Sequence, residues 1–199
     1  SFCLISSAIY VFNDINDVEN DRKHEIKKNR PIASGQISFP KAWVLLVCLT
    51  IIGLGIAVLV NIYSFLLIVA YVFINVLYSK WLKTKAVIDC FCIAIGFILR
   101  VMVGGTIVTA GVSNWMFLTV LALSLFMAFG KRRGELSSYA GGETRTVLDM
   151  YDLNFLNGIV FMCAGLTVMF YSLWSISQKA RLVYSVPIVF FIIKRYLLL

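Results

Sequence analysis

Four oxygen-bearing side chains fall within nine residues: Asn13, Asp14, Asp17 and Asp21, in the stretch NDINDVEND that follows an apolar run. With about 100° per helical residue and Asn13 as zero, Asp17 falls at about 40°, Asp21 at about 80° and Asp14 at about 100°. The four therefore share one narrow face over about two turns, whereas Glu19 lands at about 240°, on the far side. Stacked carboxylates repel one another unless a cation lies between them. Hard oxygen donors in this number suit Mg²⁺, above all a Mg²⁺ shared with a diphosphate. The plainer reading of the same residues is a solvated acidic helix end.

Cations follow closely. Lys27, Lys28 and Arg30 come directly after the acidic face, in RKHEIKKNRPIASG. A magnesium-bound diphosphate needs both kinds of charge, because metal neutralises some phosphate oxygens and Lys or Arg the others. A second polar segment reads Gly130-Lys131-Arg132-Arg133-Gly134-Glu135-Leu136. Counted from Lys131 on a helix, Arg132 lies at about 100°, Glu135 at about 40° and Tyr139 at about 80°. This repeats the geometry of the first segment with two cations in place of two carboxylates. The alternative for both basic groups is that they only set the orientation of the protein in a membrane. Asp149 and Asp152 come later, at a spacing of three.

Two more charges, Asp89 and Arg100, sit inside apolar sequence. Eleven residues make three turns plus about 20°, so the two share a stripe with Cys92 and Gly96. An arginine there costs about 2.5–3.5 kcal/mol to insert and ordinarily faces a polar cavity or a partner. Arg100 is expected to line a polar pocket and meet a phosphate, or else to pair with a carbonyl or carboxylate of another helix. The single histidine, His24, lies among charges in a loop and suits a solvated role. The five cysteines all lie in apolar segments, and the C-x-C of Cys90 and Cys92 suits neither a zinc site nor a redox pair.

These residues must be positioned by membrane helices. The chain of 199 residues is 60% hydrophobic with a mean hydropathy of +0.89, well above a soluble domain. Runs near the length of about 20 residues that spans a bilayer occur at 42–60, 64–80, 87–109, 114–130, 153–176 and 182–199, with a truncated one at 1–12. The expectation is an all-α, multi-pass transmembrane bundle of seven spans or partial spans, forming one domain over residues 1–199. Because the chain begins with Ser1 and both ends lie in apolar runs, it is read as a fragment lacking a helix at each end. Fifteen of the eighteen Lys and Arg fall in segments 13–41, 78–86, 131–152 and the C-terminal end, and nine of the ten acidic residues divide the same way. That asymmetry puts the polar clusters on the cytoplasmic side. The net charge of +8 fits anionic lipid headgroups or an anionic substrate. Nucleic acid is not expected as a partner, because the basic residues hug the bilayer.

With these residues in view, Asn13, Asp14, Asp17 and Asp21 match N-D-x-x-D-x-x-x-D, the first aspartate motif of the UbiA superfamily of intramembrane prenyltransferases. The turn Arg30-Pro31-Ile32-Ala33-Ser34-Gly35 resembles that superfamily's RPIASG. The segment Tyr78-Ser79-Lys80-Trp81-Leu82-Lys83 resembles its YSxxLK. Aromatic prenyltransferases of the superfamily carry a second D-x-x-x-D that binds another Mg²⁺; the chain has GKRRGEL at that place. The run G-K-R-x-x-E-L, followed by Arg145-x-x-Leu148-x-x-Tyr151, is similar to the decaprenyl-phosphate phosphoribosyltransferase branch, as is Ile98-Leu99-Arg100 with its following glycines.

The resemblance implies a UbiA-type bundle, with Mg²⁺ as cofactor held by the catalytic aspartates Asp14, Asp17 and Asp21. It implies transfer of 5-phosphoribose from phosphoribosyl diphosphate (PRPP) to a polyprenyl phosphate, at the cytoplasmic face of a bacterial plasma membrane. Asn13, Lys27, Arg30, Tyr78, Lys83, Arg100, Lys131, Arg132, Arg145 and Tyr151 are then candidate substrate-binding residues. Glu135 would orient a ribose hydroxyl or one of the cations. The polyprenyl phosphate is already anionic, so no strong base is needed. The competing enzyme reading is an aromatic prenyltransferase acting on a polyprenyl diphosphate. A more remote one is a transporter or channel whose ion path runs past Asp89 and Arg100. Neither the oligomeric state nor the lipid length follows from the residues.

Overall fold

An apolar run in lipid can satisfy its backbone N–H and C=O groups only by closing a helix on itself. The computed structural model describes residues 1–24, 26–108, 111–137, 148–178 and 180–198, and every regular element among them is helical. The first two helices, α1 (Phe2–Asn16) and α2 (Val18–Lys23), meet at Asp17. The Asp17 N–H donates to the Asn13 carbonyl at 2.9 Å and the Asp21 N–H to the Asp17 carbonyl at 2.8 Å. The four-residue hydrogen-bond spacing thus runs through the junction, which is what keeps the acidic residues on one side.

The next helix, α3 (Phe39–Val60), follows an extended Ser38 and carries Pro40 in its first turn, where a missing N–H costs nothing. Asn61 is extended and its Oδ1 accepts the Tyr63 N–H at 2.9 Å, opening α4 (Ile62–Lys80). After α5 (Ile88–Gly105), α6 (Asn114–Ser137) is capped by Ser113 Oγ, which accepts the Met116 N–H at 3.2 Å. Asp152 Oδ2 accepts the N–H groups of Asn154 and Phe155 at 3.1 and 3.4 Å and so starts α7 (Leu153–Gln178). The capping role accounts for one of the two later aspartates.

Five helices, α3 to α7, are long and apolar enough to cross a bilayer, and α1 is a shorter apolar helix. Several boundaries differ from the apolar runs by a few residues, and two differences are larger. Helix α6 continues seven residues past its expected end at 130, which places Lys131, Arg132 and Glu135 on regular helix. The last run does not form one helix: residues Ala180–Ser185 make a 3₁₀ stretch and α8 covers only Val186–Leu198. Pro187 has no N–H with which to continue the earlier ladder, so the α-helix restarts there.

The chain divides into two compact units. The first comprises Ser1–Lys80 with Met102–Thr109. In it α1 packs on α3 so closely that a Cβ at Gly53 would lie 2.8 Å from Ile5 Cδ1. A separate small core of Ile15, Val18, Ile32, Ala33 and Ala42 fastens the 30–35 turn to the α1–α2 junction. The second unit comprises Trp81–Val101 with Ala110–Leu199, and its core lies where α6 packs along α7, around Phe126, Phe129, Leu156 and Val160.

Candidate functional site

In the first unit the acidic face is closed by one arginine. Arg30 follows a short 3₁₀ turn (Lys27–Asn29), and the Ile32 and Ala33 side chains anchor the turn after it. Arg22 Nε donates to the Ala33 carbonyl at 3.1 Å, and Gly35 takes a φ of +82° that suits glycine. This brings Arg30 back over the helix it left. Its Nη1 donates to Asp14 Oδ1 and to Asp21 Oδ2, both at 2.8 Å. Asp21 is buried, Asp14 and Asp17 are half-buried, and the guanidinium is partly open to solvent. Burial lifts the Asp14 carboxyl above its ordinary range; Arg30 pulls it back, and Asp21 and Asp17 push it up.

One oxygen in this cluster has nothing to bind. Asn13 Oδ1 is buried without a hydrogen-bond partner, a state that costs about 1–3 kcal/mol unless something answers it. The donors at this place are all hard oxygens, and the orphaned amide oxygen is one more, so the residues fit a divalent cation such as Mg²⁺. Among the described residues no three carboxylate, imidazole or thiol groups converge as a metal cage. In this arrangement the Arg30 guanidinium is the cation that two of the carboxylates share.

The second unit holds a different cluster. Arg132 is 1% exposed; its Nε donates to Asp89 Oδ2 at 2.6 Å and its Nη1 to Glu135 Oε2 at 2.5 Å. Asp89 is 0% exposed, in the first turn of α5, and its Oδ1 accepts the Tyr151 hydroxyl at 2.9 Å. The Tyr151 oxygen in turn accepts the Val87 N–H at 2.6 Å. Burial pushes the Tyr151 phenol up, so it remains a donor. Lys131 Nζ lies 4.0 Å from Glu135 Oε1 on the solvent side.

The sequence-predicted residues are thus distributed unevenly. Asp14, Asp21 and Arg30 are together in one cluster, with Asn13 beside Asp14 on the same helix and Asp17 at the helix junction. Lys27 is half-buried in the preceding 3₁₀ turn, Tyr78 is half-buried near the end of α4, and Lys83 is half-buried in the turn Leu82–Thr84. Arg100 is exposed towards the far end of α5, about 16 Å along the helix from buried Asp89. The shared stripe of these two therefore carries no contact between them. Arg145 and Tyr139 lie outside the described residues.

Arg132 and Tyr151 were expected to meet substrate, and the structure gives both an interior place instead. Arg132 Nε and Nη1 are held by two carboxylates, and the Tyr151 hydroxyl by Asp89 and a backbone N–H. The residue absent from the expected set is Asp89, the interior partner of Arg132. Its one sequence signal was an acid at the start of an apolar span, which ordinarily implies a buried partner.

The chain spans about half the length of the curated relatives it matches. It is 34% identical over 179 residues to the decaprenyl-phosphate phosphoribosyltransferase of Mycolicibacterium smegmatis, covering 89% of this chain and 56% of that protein. To the Corynebacterium glutamicum protein of the same name it is 36% identical over 177 residues, covering 87% and 53%. Among solved structures, a UbiA homolog from Archaeoglobus fulgidus bound to DMAPP and Mg²⁺ superposes with a TM-score of 0.81 at 17% identity, covering 97% of this chain and 70% of that one. That likeness shows a common all-α fold, and with the five span-length helices it describes an integral membrane protein. The model of one family matches residues 1–199, the same stretch that carries all three sequence motifs, and the chain belongs to the UbiA prenyltransferase family.

Proposed function

We propose that the protein transfers 5-phosphoribose from PRPP to a polyprenyl phosphate and releases diphosphate at the cytoplasmic face of a bacterial plasma membrane. The observation that carries this reading is the GKRRGEL segment. Where the aromatic prenyltransferases resemble one another in a second acidic pair, this chain has one outward carboxylate, Glu135, backed by a buried arginine. The identity of 34–36% to phosphoribosyltransferases over nearly nine-tenths of the chain supports it.

Asp14, Asp17 and Asp21, with the Asn13 amide oxygen, would hold Mg²⁺, which supplies charge neutralisation to a diphosphate leaving group. Arg30 already sits on this face and adds a guanidinium for the remaining phosphate oxygens. Lys27 lies in the turn just before it. In the second unit, Lys131, Lys83, Arg100 and Arg145 are the cations assigned to phosphate, and Glu135 is assigned to a ribose hydroxyl. Tyr78 and Tyr151 shape the polar ends of α4 and α7. In the reaction the C1–O bond to diphosphate breaks as C1 gains oxocarbenium character. A phosphate oxygen of the lipid then forms the new C1–O bond. That oxygen is anionic at neutral pH, so the chain need supply no general base, in keeping with its single histidine in a loop.

The second reading is prenyl transfer from a polyprenyl diphosphate to an aromatic acceptor. It is favoured by one fact: Arg132 is already neutralised by two carboxylates, so this cluster adds no cation for an extra phosphate. Membranes holding the full-length protein, given labelled PRPP with polyprenyl phosphate or labelled prenyl diphosphate with hydroxybenzoate, separate the two. Lipid-linked phosphoribose in the first incubation, with no product in the second, is the expected result; the reverse removes the proposal. PRPP and Mg²⁺ together should also raise the thermal midpoint more than either does separately.

A further inference from the structure

The buried cluster of the second unit is directional. It begins at the Val87 N–H, passes through the Tyr151 hydroxyl to Asp89, from Asp89 to Arg132, and ends at Glu135. Tyr151, Asp89 and Arg132 are buried and Val87 is half-buried, while Glu135, with 32% of its side chain exposed, opens to solvent. The first link is strained. Val87 is β-branched and has a φ of +68°, in the left-handed region that such residues avoid. A backbone of this kind persists where its surroundings over-determine it, and such sites collect around function. Here the N–H so displayed is tied to Tyr151.

Charge decides what the open end can receive. One guanidinium stands against the Asp89 and Glu135 carboxylates, so Arg132 has no charge to spare for a phosphate, and at the open end the cation near Glu135 is Lys131 at 4.0 Å. Glu135 Oε2 is taken by Arg132, while Oε1 is 4.0 Å from Lys131 and keeps acceptor capacity. A carboxylate held in this way suits a hydroxyl donor. We propose that Asp89 and Tyr151 are positioning residues: through Arg132 they fix the Glu135 carboxylate to accept a ring hydroxyl of the sugar-phosphate donor. The inference rests on the phosphoribosyl reading; it adds Asp89, which no motif assigned to the site, and gives Tyr151 a positioning role in place of substrate contact. A network that only fastened α5 to α6 would affect folding and leave donor recognition untouched.

The test uses the full-length protein in lipid nanodiscs, with KM for PRPP, KM for polyprenyl phosphate, kcat and thermal midpoint measured on each variant. Glu135→Gln and Tyr151→Phe should each raise the PRPP KM about tenfold, the size of one charge-assisted hydrogen bond, and leave the lipid KM within about twofold. Adding Tyr151→Phe to Glu135→Gln should raise it no further, because both act through the same carboxylate. Arg132→Lys keeps the buried charge and loses the fork; it should reproduce the PRPP effect if Tyr151→Phe fails to fold. Additive effects overturn the inference, and so does a fall in kcat or midpoint with the PRPP KM unchanged. Wild-type protein that transfers no phosphoribose overturns the functional reading itself and this inference with it. Transfer by wild type with variants that do not move the PRPP KM overturns the inference alone.

Discussion

Arg30 and Arg132 each bind two carboxylates, yet they sit in opposite environments. Arg30 is partly open, and the cluster around it includes a buried amide oxygen with no partner. Arg132 is sealed, and every link of its network, from Val87 to Glu135, is made. Removing charges from water is expensive, and the cost is met only where all the donors and acceptors find one another. A complete interior network holds its members in place. An incomplete one at the edge of an apolar helix still has capacity for a ligand. On the proposed function, the difference separates the cluster assigned to binding from the cluster assigned to positioning.

The largest effect that can break this contrast is on folding. Arg132→Met leaves the Asp89 carboxylate buried opposite no cation and should cost about 3–5 kcal/mol in an unfolding titration. Arg30→Met, by comparison, breaks an equal number of ion pairs around a guanidinium that is partly open to solvent; it deprives the buried Asp21 of that partner, and should cost less, about 1–3 kcal/mol. Equal losses for the two arginines would erase the distinction.

Next is activity. Asp17→Asn removes one charge from the acidic face and keeps the shape, so turnover should fall about a hundredfold or more while the thermal midpoint holds. Full turnover in that variant would remove the aspartates from the reaction.

The smallest effect is the most diagnostic in sign. Asn13→Leu deletes the orphaned oxygen, so without metal the protein should gain up to about 1 kcal/mol. The rise in midpoint on adding Mg²⁺ with PRPP should shrink in the same variant. A variant that loses stability without metal would mean that the Asn13 oxygen already has a use in the bare protein.

Much of the architecture was legible before any coordinates. Seven apolar runs gave helical segments at every expected place, because a lipid-facing backbone has few other ways to satisfy itself. The rotation of about 100° per residue put Asp14 and Asp21 on one face, and they do converge on one guanidinium. The second cluster was not readable in this way. Lys131 and Arg132 were both assigned to phosphate, and nothing local says which of them turns inward. That depends on an acid 43 residues earlier, Asp89, and on a tyrosine 62 residues after it, Tyr151.

The order of residues by itself therefore determined helical class, the places of the five span-length helices and the acidic face of the first unit. These are set by neighbours within a turn or two and by the sign of the charges at each helix end. The tertiary structure decided that Arg132 is interior, that Asp152 caps α7, that Asp89 anchors a network and that Arg30 closes the aspartates. Each of those is a pairing between segments distant in the chain, and burial, which fixes the strength of a charge, exists only once those segments have packed.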